Sequence, residues 1–442
     1  MPESLLSVGL DVGTTSTQLI VSRLQIENRA GGFSVPEMDI TSREIIYKGQ
    51  VHFTPLLDEA LVDAEALRKL VDAEYLRAGI RREDVDTGAI IITGETSRKE
   101  NARAVLAQLS GYAGDFVVAT AGPDLESVLA AKGAGAVAYS RDTGKAVLHM
   151  DIGGGTSNLC LIRDGKIERT GCLNVGGRLV KLDQNGEIYY ISSVLEGITE
   201  LKVGDVPSMG QLDDLAQILT QTLEMAAGLR SGDGLLQRLS TAEAQSWEPL
   251  REPVVISFSG GVADCIETDG DWLQFGDLGR ILGKAIRKSL LCQGDYVLGR
   301  ETIRATVIGA GCHSTQLSGS TVFYRNIGFP LRNLPVSSGD EVWDLGEEQR
   351  VLAFSGTASM GYADVVELAR KIAGAVPDGA VLVCLEADAA KALGQCLAGI
   401  LPPDRPILCI DRVRLPPQSY LDVGAPVGPA LPVVVKTLVL ER

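Results

Sequence analysis

Two segments of this chain repeat one local pattern, and the repeat restricts the fold more than any other feature. The β-type run Leu5-Leu6-Ser7-Val8-Gly9-Leu10 meets the polar turn Asp11-Val12-Gly13-Thr14-Thr15-Ser16 and returns as Thr17-Gln18-Leu19-Ile20-Val21-Ser22. About 140 residues later Ala146-Val147-Leu148-His149-Met150 meets Asp151-Ile152-Gly153-Gly154-Gly155-Thr156 and returns as Asn158-Leu159-Cys160-Leu161-Ile162. Each is a β-hairpin with an aspartate heading its turn. The period is too long for a solenoid, so it predicts one duplicated unit and two similar domains facing each other.

The segments between the hairpins alternate in type. Leu61, Leu67, Leu70, Val71 and Leu76 recur near helical spacing up to Gly79, which predicts an amphipathic helix over 59–78. A strand at 89–93, a helix at 98–109 and a strand at 116–119 follow. A helix then begins near Asp124 and contains the small residues Ala130, Ala131, Gly133, Ala134, Gly135 and Ala136. Further on come a strand at 253–258, the turn Ser259-Gly260-Gly261, the segment Val307-Ile308-Gly309-Ala310-Gly311, and a β-α-β unit with strands at 380–385 and 406–411 around a helix near 389–399. The proline-rich stretch from Arg414 to Pro432 reads as an extended terminal segment, and 183–250 and 318–350 carry little interpretable signal. Strands alternating with helices indicate an α/β protein. The expected division is 1–140, 141–315 and a C-terminal α/β extension over 316–442.

Composition narrows the function classes. A formal net charge of −16 is the wrong sign for a nucleic-acid backbone or an anionic membrane surface. No stretch approaches the ~18–20 apolar residues of a membrane span, and Met1-Pro2-Glu3-Ser4 lacks the basic start of a signal peptide. The expected location is the cytoplasm, with neither nucleic acid nor membrane as partner. The eight cysteines form no Cys-x-x-Cys pair and lie in apolar runs, so they are expected as buried reduced thiols. Three histidines, His52, His149 and His313, none four residues from another, offer little to a metal site or a Ser-His-Asp triad.

The glycine-rich turns carry the chemistry. A turn of Gly, Thr and Ser after a strand aims unpaired N–H groups and hydroxyls at one point, and such nests hold phosphate oxygens without a basic side chain. An aspartate at the strand end can hold Mg²⁺ through water, since that ion keeps most of its hydration shell. The bland reading of each turn by itself is an ordinary hairpin connection. Taken in order, two such turns would grip the phosphates of a nucleotide from both sides, with Ser259, Gly260 and Gly261 under the nucleoside.

That order resembles the actin-like ATPase superfamily, which includes sugar kinases, actin and the seventy-kilodalton heat-shock chaperones, over residues 5–315. The resemblance implies two ribonuclease-H-like domains around a cleft holding ATP and Mg²⁺. It places Gly13, Thr14 and Thr15 in the first phosphate loop, Gly153, Gly154, Gly155 and Thr156 in the second, and Ser259, Gly260 and Gly261 in the adenosine loop. Asp11 and Asp151 would organise Mg²⁺ and the attacking water, and Gly133 to Val137 and Gly309 to Gly311 would form the hinges. Glu126 matches the position of a catalytic carboxylate in some members, and equally suits a helix-start acid favoured by the dipole.

A narrower resemblance, to the ethanolamine ammonia-lyase reactivating factor family, runs the length of the chain. It rests on Thr93-Gly94-Glu95-Thr96-Ser97-Arg98-Lys99-Glu100-Asn101-Ala102, Ala121-Gly122-Pro123-Asp124-Leu125-Glu126-Ser127 and Leu173-Asn174-Val175-Gly176-Gly177-Arg178. It implies a slow ATPase acting as a reactivation chaperone: its partner would be the adenosylcobalamin-dependent ethanolamine ammonia-lyase, from which it would release damaged cobalamin. Homo-oligomers and association with a bacterial microcompartment are compatible with it. The alternatives are a metabolite kinase, for which no aspartate base in a polyol pocket is evident, and a structural actin-like subunit.

Overall fold

A computed structural model of the 442-residue chain describes residues 3–13, 16–28, 38–57, 61–93, 101, 105, 109, 118–120, 123–231, 234–241, 247–313, 315–319, 321–339, 350–356, 360–415 and 419–437. The first sheet contains β1 (Glu3–Val12), β2 (Ser16–Asn28), β3 (Met38–Lys48), β4 (His52–Phe53), β5 (Thr87–Ile92) and β6 (Val118–Thr120). Its order is β3-β2-β1-β5-β6, with β4 added to β2. The first three strands form an antiparallel meander, and β5 and β6 run parallel to β1.

The second sheet repeats this plan. It is built from β7 (Val147–Ile152), β8 (Ser157–Arg163), β9 (Lys166–Leu173), β12 (Val255–Ser259) and β13 (Tyr296–Leu298), in the order β9-β8-β7-β12-β13. The meander is again antiparallel and the last two strands again parallel to the first. A small ribbon of β10 (Val180–Leu182) and β11 (Ile188–Ile191) stands apart. The duplication expected from the hairpins therefore extends to strand order and direction, the arrangement of two ribonuclease-H-like halves in an α/β protein.

Two helices cross between these halves. Pro123–Gly133 packs on β7, β8 and β9, whereas Ala305–His313 packs on β1, β2 and β5, and the two helices lie against each other. A methyl group on Gly309 would overlap the carbonyl oxygen of Leu129, and the backbone of Gly9 touches that of Gly311. Glycine at these positions lets main chains meet where any side chain would hold them apart.

The third sheet joins β14 (Thr315–Leu317), β15 (Phe323–Arg325), β16 (Leu331–Ser338), β17 (Val351–Phe354), β18 (Val381–Leu385), β19 (Ile407–Asp411), β20 (Ser419–Val423) and β21 (Pro432–Thr437) in the order β14-β21-β20-β16-β17-β18-β19-β15. Strands β16 to β19 are parallel, and Tyr362–Ala375 and Ala390–Ile400 supply the helices between them. Leu352, Val383 and Cys409 face these helices, and Leu382, Cys384 and Ile410 face the opposite core. Strand β14 follows the crossing helix Ala305–His313 almost directly, and Thr315 bonds Thr87 at 2.8 Å, so this sheet abuts the first.

Four local expectations need correction. The helix predicted over 59–78 begins at Ala64, because the Asp63 carboxylate caps it by accepting from Ala66 N. The small-residue helix is two helices, Pro123–Gly133 and Ala136–Thr143, because Gly135 takes φ +83° and breaks the first. The segment 414–432 includes β20, and its last residue opens β21; the two strands pair antiparallel within the third sheet and are not an extended tail. Residues 183–250 contain the 18-residue helix Met209–Ala226, whose Ser208/Gln211 capping box was a legible start signal. The predicted helix at 98–109 lies for the most part outside the described residues. Seven cysteines are buried, as expected, whereas Cys396 is half-buried, and all eight are free thiols. Among the described residues no helix is long and apolar enough to cross a membrane.

Candidate functional site

Each aspartate stands at the end of the first strand of its sheet, where a parallel neighbour flanks it. Asp11 pairs across β1 with Gln18 and Ile91, and Asp151 pairs across β7 with Asn158 and Ser259. The two turns close with the same bond: Gly13 N donates to Ser16 O at 2.9 Å, and Gly153 N donates to Thr156 O at 2.9 Å. The sequence repeat is thus a repeat of backbone geometry.

The carboxyls are held differently. Thr93 Oγ1, just past the end of β5, donates to Asp11 Oδ1 at 2.9 Å. Asp151 accepts a short hydrogen bond from Ser259 Oγ at Oδ1, and Thr306 Oγ1 of the crossing helix donates to Oδ2 at 3.5 Å. Behind Ser259 stands His149, wholly buried, with Nε2 2.9 Å from Ser259 Oγ and Nδ1 3.0 Å from Ser257 Oγ. Burial lowers His149 to about 3, so the ring is neutral at ordinary pH.

Burial raises both aspartates. Asp11 rises to about 7, against the Thr93 hydrogen bond, and the charge of Asp151 adds to the rise. Asp151 rises to about 6, held back by Ser259 and Thr306. Two buried carboxyls that feel each other's charge and whose charged forms are disfavoured make a site that a cation would relieve. Their all-oxygen donor set fits a hard ion such as Mg²⁺, which takes one or two carboxylates and completes its shell with water and phosphate. Among the described residues no three His, Cys, Asp or Glu side chains gather as a metal cage.

Around this pair the loops are braced from outside. Thr54 Oγ1 donates to Gly13 O at 2.7 Å and lies 3.1 Å from Thr17 Oγ1. Gly177 N donates to Gly153 O at 3.0 Å and Arg178 N to Gly154 O at 2.6 Å. Gly260 takes φ +87° with its backbone against Ile152, which leaves no room for a side chain.

The predicted residues Asp11, Gly13, Asp151, Gly153, Gly154, Gly155, Thr156, Ser259, Gly260 and Gly261 all lie on these two strand ends and the β12 turn. Thr14 and Thr15 lie outside the described residues. Glu126 stands half-buried in the first turn of helix Pro123–Gly133. The sequence reading missed Thr93 and Thr306 as partners, and it missed His149. A histidine in the apolar run Val147-Leu148-His149-Met150, beside a strand with Ser257 and Ser259 two residues apart, was an available signal, because such serines share one face.

Comparison with known proteins gives the following. The family model described as "Ethanolamine utilisation protein EutA" matches residues 3–344 and 337–441. Two curated relatives, each named ethanolamine ammonia-lyase reactivase EutA, come from Salmonella typhimurium and Escherichia coli; each is 38% identical over 98% of this chain and 98% of its own. Among solved structures, the Aquifex aeolicus PPX-GPPA enzyme aligns with TM-score 0.43 and 15% identity, over 70% of this chain and 99% of that one. The ethanolamine utilization protein EutJ of Carboxydothermus hydrogenoformans aligns with TM-score 0.35 and 16% identity, over 71% and 90%.

Proposed function

This chain belongs to the ethanolamine utilisation protein EutA family, and from that premise we propose that it is an ATP-dependent reactivating factor for ethanolamine ammonia-lyase. The observation that carries the reading is the 38% identity, over 98% of both chains, to two reactivases of that enzyme. The same relatives leave the metabolite-kinase reading without support.

In this reading the strand ends at Asp11 and Asp151 hold MgATP. The N–H groups of the Gly13 turn and of the Gly153-Gly154-Gly155-Thr156 turn would bind phosphate oxygens from opposite sides. Asp11 and Asp151 would hold Mg²⁺, and that ion would supply charge neutralisation at the phosphates. Ser259 and Thr306 would fix the Asp151 carboxylate toward the cleft, and Gly260 and Gly261 would let the nucleoside approach the backbone. The domain division is proposed as 1–140, 141–315 and 316–442, with the crossing helices as hinge.

The work on the client needs differential affinity. The nucleotide must favour one cleft geometry, and the lyase must bind one geometry better than the other. Opening the lyase then releases damaged cobalamin and admits intact cofactor. The protein is proposed to act in the cytoplasm, next to or within the compartment that holds the lyase.

The test measures ammonia release from ethanolamine ammonia-lyase inactivated with an adenosyl-lacking cobalamin. The chain is added with ATP, Mg²⁺ and fresh adenosylcobalamin, beside a minus-ATP arm and an Asp151→Asn arm. Recovery in the complete mixture alone is the expected result. Recovery without ATP, or with Asp151→Asn, would remove the nucleotide site from the mechanism.

A further inference from the structure

The two phosphate loops are braced by segments that meet each other at Phe53 and Arg178. Arg178 belongs to the second half: its backbone N–H is fixed on Gly154 O, and a methyl group on the preceding Gly176 would overlap that same carbonyl. Its guanidinium Nε donates to Asp277 Oδ2 at 3.1 Å. Asp277 is itself held, because its other oxygen accepts from Gly279 N at 2.8 Å. The cation is therefore aimed, and it lies 5.7 Å from the centre of the Phe53 ring.

Phe53 belongs to the first half. It sits on β4, which pairs with the start of β2 at Ser16 and Thr17, and the adjacent Thr54 bonds the carbonyl of Gly13. The ring is 77% exposed. The same strap touches the second half closer to the hinge: Lys48 pairs with Glu301, and Arg304 Nη2 donates to Gly49 O at 3.2 Å. Residues 301 and 304 immediately precede the crossing helix Ala305–His313, so these two contacts lie near the pivot.

We propose that Arg178 is a positioning residue of the nucleotide site and that, with Phe53, it forms a clasp across the cleft that slows the departure of bound nucleotide. The proposal rests on the reading of the two loops as an ATP site, and deepens it. A guanidinium over an aromatic face is attractive within about 6 Å, and the attraction is lost when the ring and the cation separate. Because each partner is anchored to the loop of its own half, parting the loops parts the ring from the cation. Nucleotide release and clasp opening are then one motion.

The test is stopped-flow release of a fluorescent N-methylanthraniloyl-ATP, with Mg²⁺, from the full chain. The variants are Phe53→Ala, Arg178→Gln, Arg178→Lys, the double Phe53→Ala/Arg178→Gln, and Tyr362→Ala as an equally exposed aromatic control at the start of helix Tyr362–Ala375. Release is expected to quicken about 3- to 10-fold in Phe53→Ala and in Arg178→Gln, with association little changed. The double variant should release no faster than the quicker single variant, Arg178→Lys should fall between, and Tyr362→Ala should match the unaltered chain. Removing Arg178 leaves the Asp277 carboxylate without its cation and so threatens folding, but Phe53→Ala removes only an exposed ring and decides the matter by itself. Unchanged release in Phe53→Ala, or rate increases that multiply in the double variant, would overturn the clasp while leaving the site reading intact. An unaltered chain that holds no nucleotide would overturn both.

Discussion

The charge of Asp151 reaches the Asp11 carboxyl and pushes it further up, beyond the larger rise that burial causes. Both folded-state values, about 7 and about 6, lie above the unfolded 3.8. Between the unfolded and folded values the native chain holds protons that the unfolded chain has lost, so stability falls as pH rises through that window. The ligand-free chain should therefore melt at lower temperature near pH 8 than near pH 5, as followed by scanning fluorimetry. Asp11→Asn should flatten the profile and raise the alkaline melting point by about 3 °C or more. A profile unchanged in that variant would mean that the pair is not strained.

His149 reaches Asp151 only through Ser259, and hydrogen counting fixes how. Ser259 has one hydroxyl hydrogen and gives it to Asp151, so it must accept from His149 Nε2–H, which leaves Nδ1 to accept from Ser257. Nitrogen-15 NMR should find the Nε2–H tautomer in the ligand-free chain above about pH 7, where Asp151 is ionised. His149→Phe should lower reactivation by about tenfold, through a loosened Ser259, with His149→Gln losing less. An Nδ1–H tautomer would show that the chain of bonds runs the other way.

Gly309 and Gly133 allow the crossing helices to touch main chain to main chain, whereas a methyl on Gly374, in helix Tyr362–Ala375, meets open space. Gly309→Ala should cost about 1–3 kcal/mol by overpacking. Gly374→Ala should instead stabilise by up to about 1 kcal/mol through helix propensity. Urea midpoints at equal slope will distinguish them, and similar midpoints would mean that the helices are not in backbone contact.

Burial pushes the Cys160 thiol up to about 12 and Cys265 and Cys292 to about 11, and raises Cys384 and Cys409 as well. Thiolate is the form that alkylates. Brief iodoacetamide treatment of the native chain, read by peptide mass spectrometry, should mark half-buried Cys396 well before any other cysteine. Early labelling of Cys384 or Cys409 would contradict the packing of the third sheet.

Much of the candidate site's geometry was legible because hairpins announce themselves locally. The runs flanking Asp11 and Asp151 pair within one turn, so adjacent residues are enough to find them and to recognise the duplication. Thr93 and Thr306 were not legible as partners. They stand 82 and 155 residues from the carboxylates they bond, and a lone threonine carries no sign of what it will face. The break at Gly135 was hidden for a different reason: alanine and glycine in series suit one packed helix or two, and the left-handed turn is selected only when both neighbours are in place. In the third sheet, β20 and β21 looked like a tail because prolines there argue against a central strand; β21 begins at Pro432, and first-residue proline is compatible with pairing.

The sequence by itself determined the two aspartate-headed hairpins, the alternation of strands and helices, the small residues of the crossing helices and the family to which the chain is similar. These depend on side-chain periodicity and turn chemistry over a few neighbouring residues, which the order of amino acids specifies directly. Only the tertiary structure decided that the halves exchange helices, that β14 carries the chain from helix Ala305–His313 into an eight-stranded sheet, that Ser259 links His149 to Asp151, and that Arg178 meets Phe53. Those contacts arise from burial and close packing between distant segments. Their energies depend on what surrounds each group, and a carboxylate that is ordinary in water resists ionisation only when the fold has dried it and brought a second charge within reach.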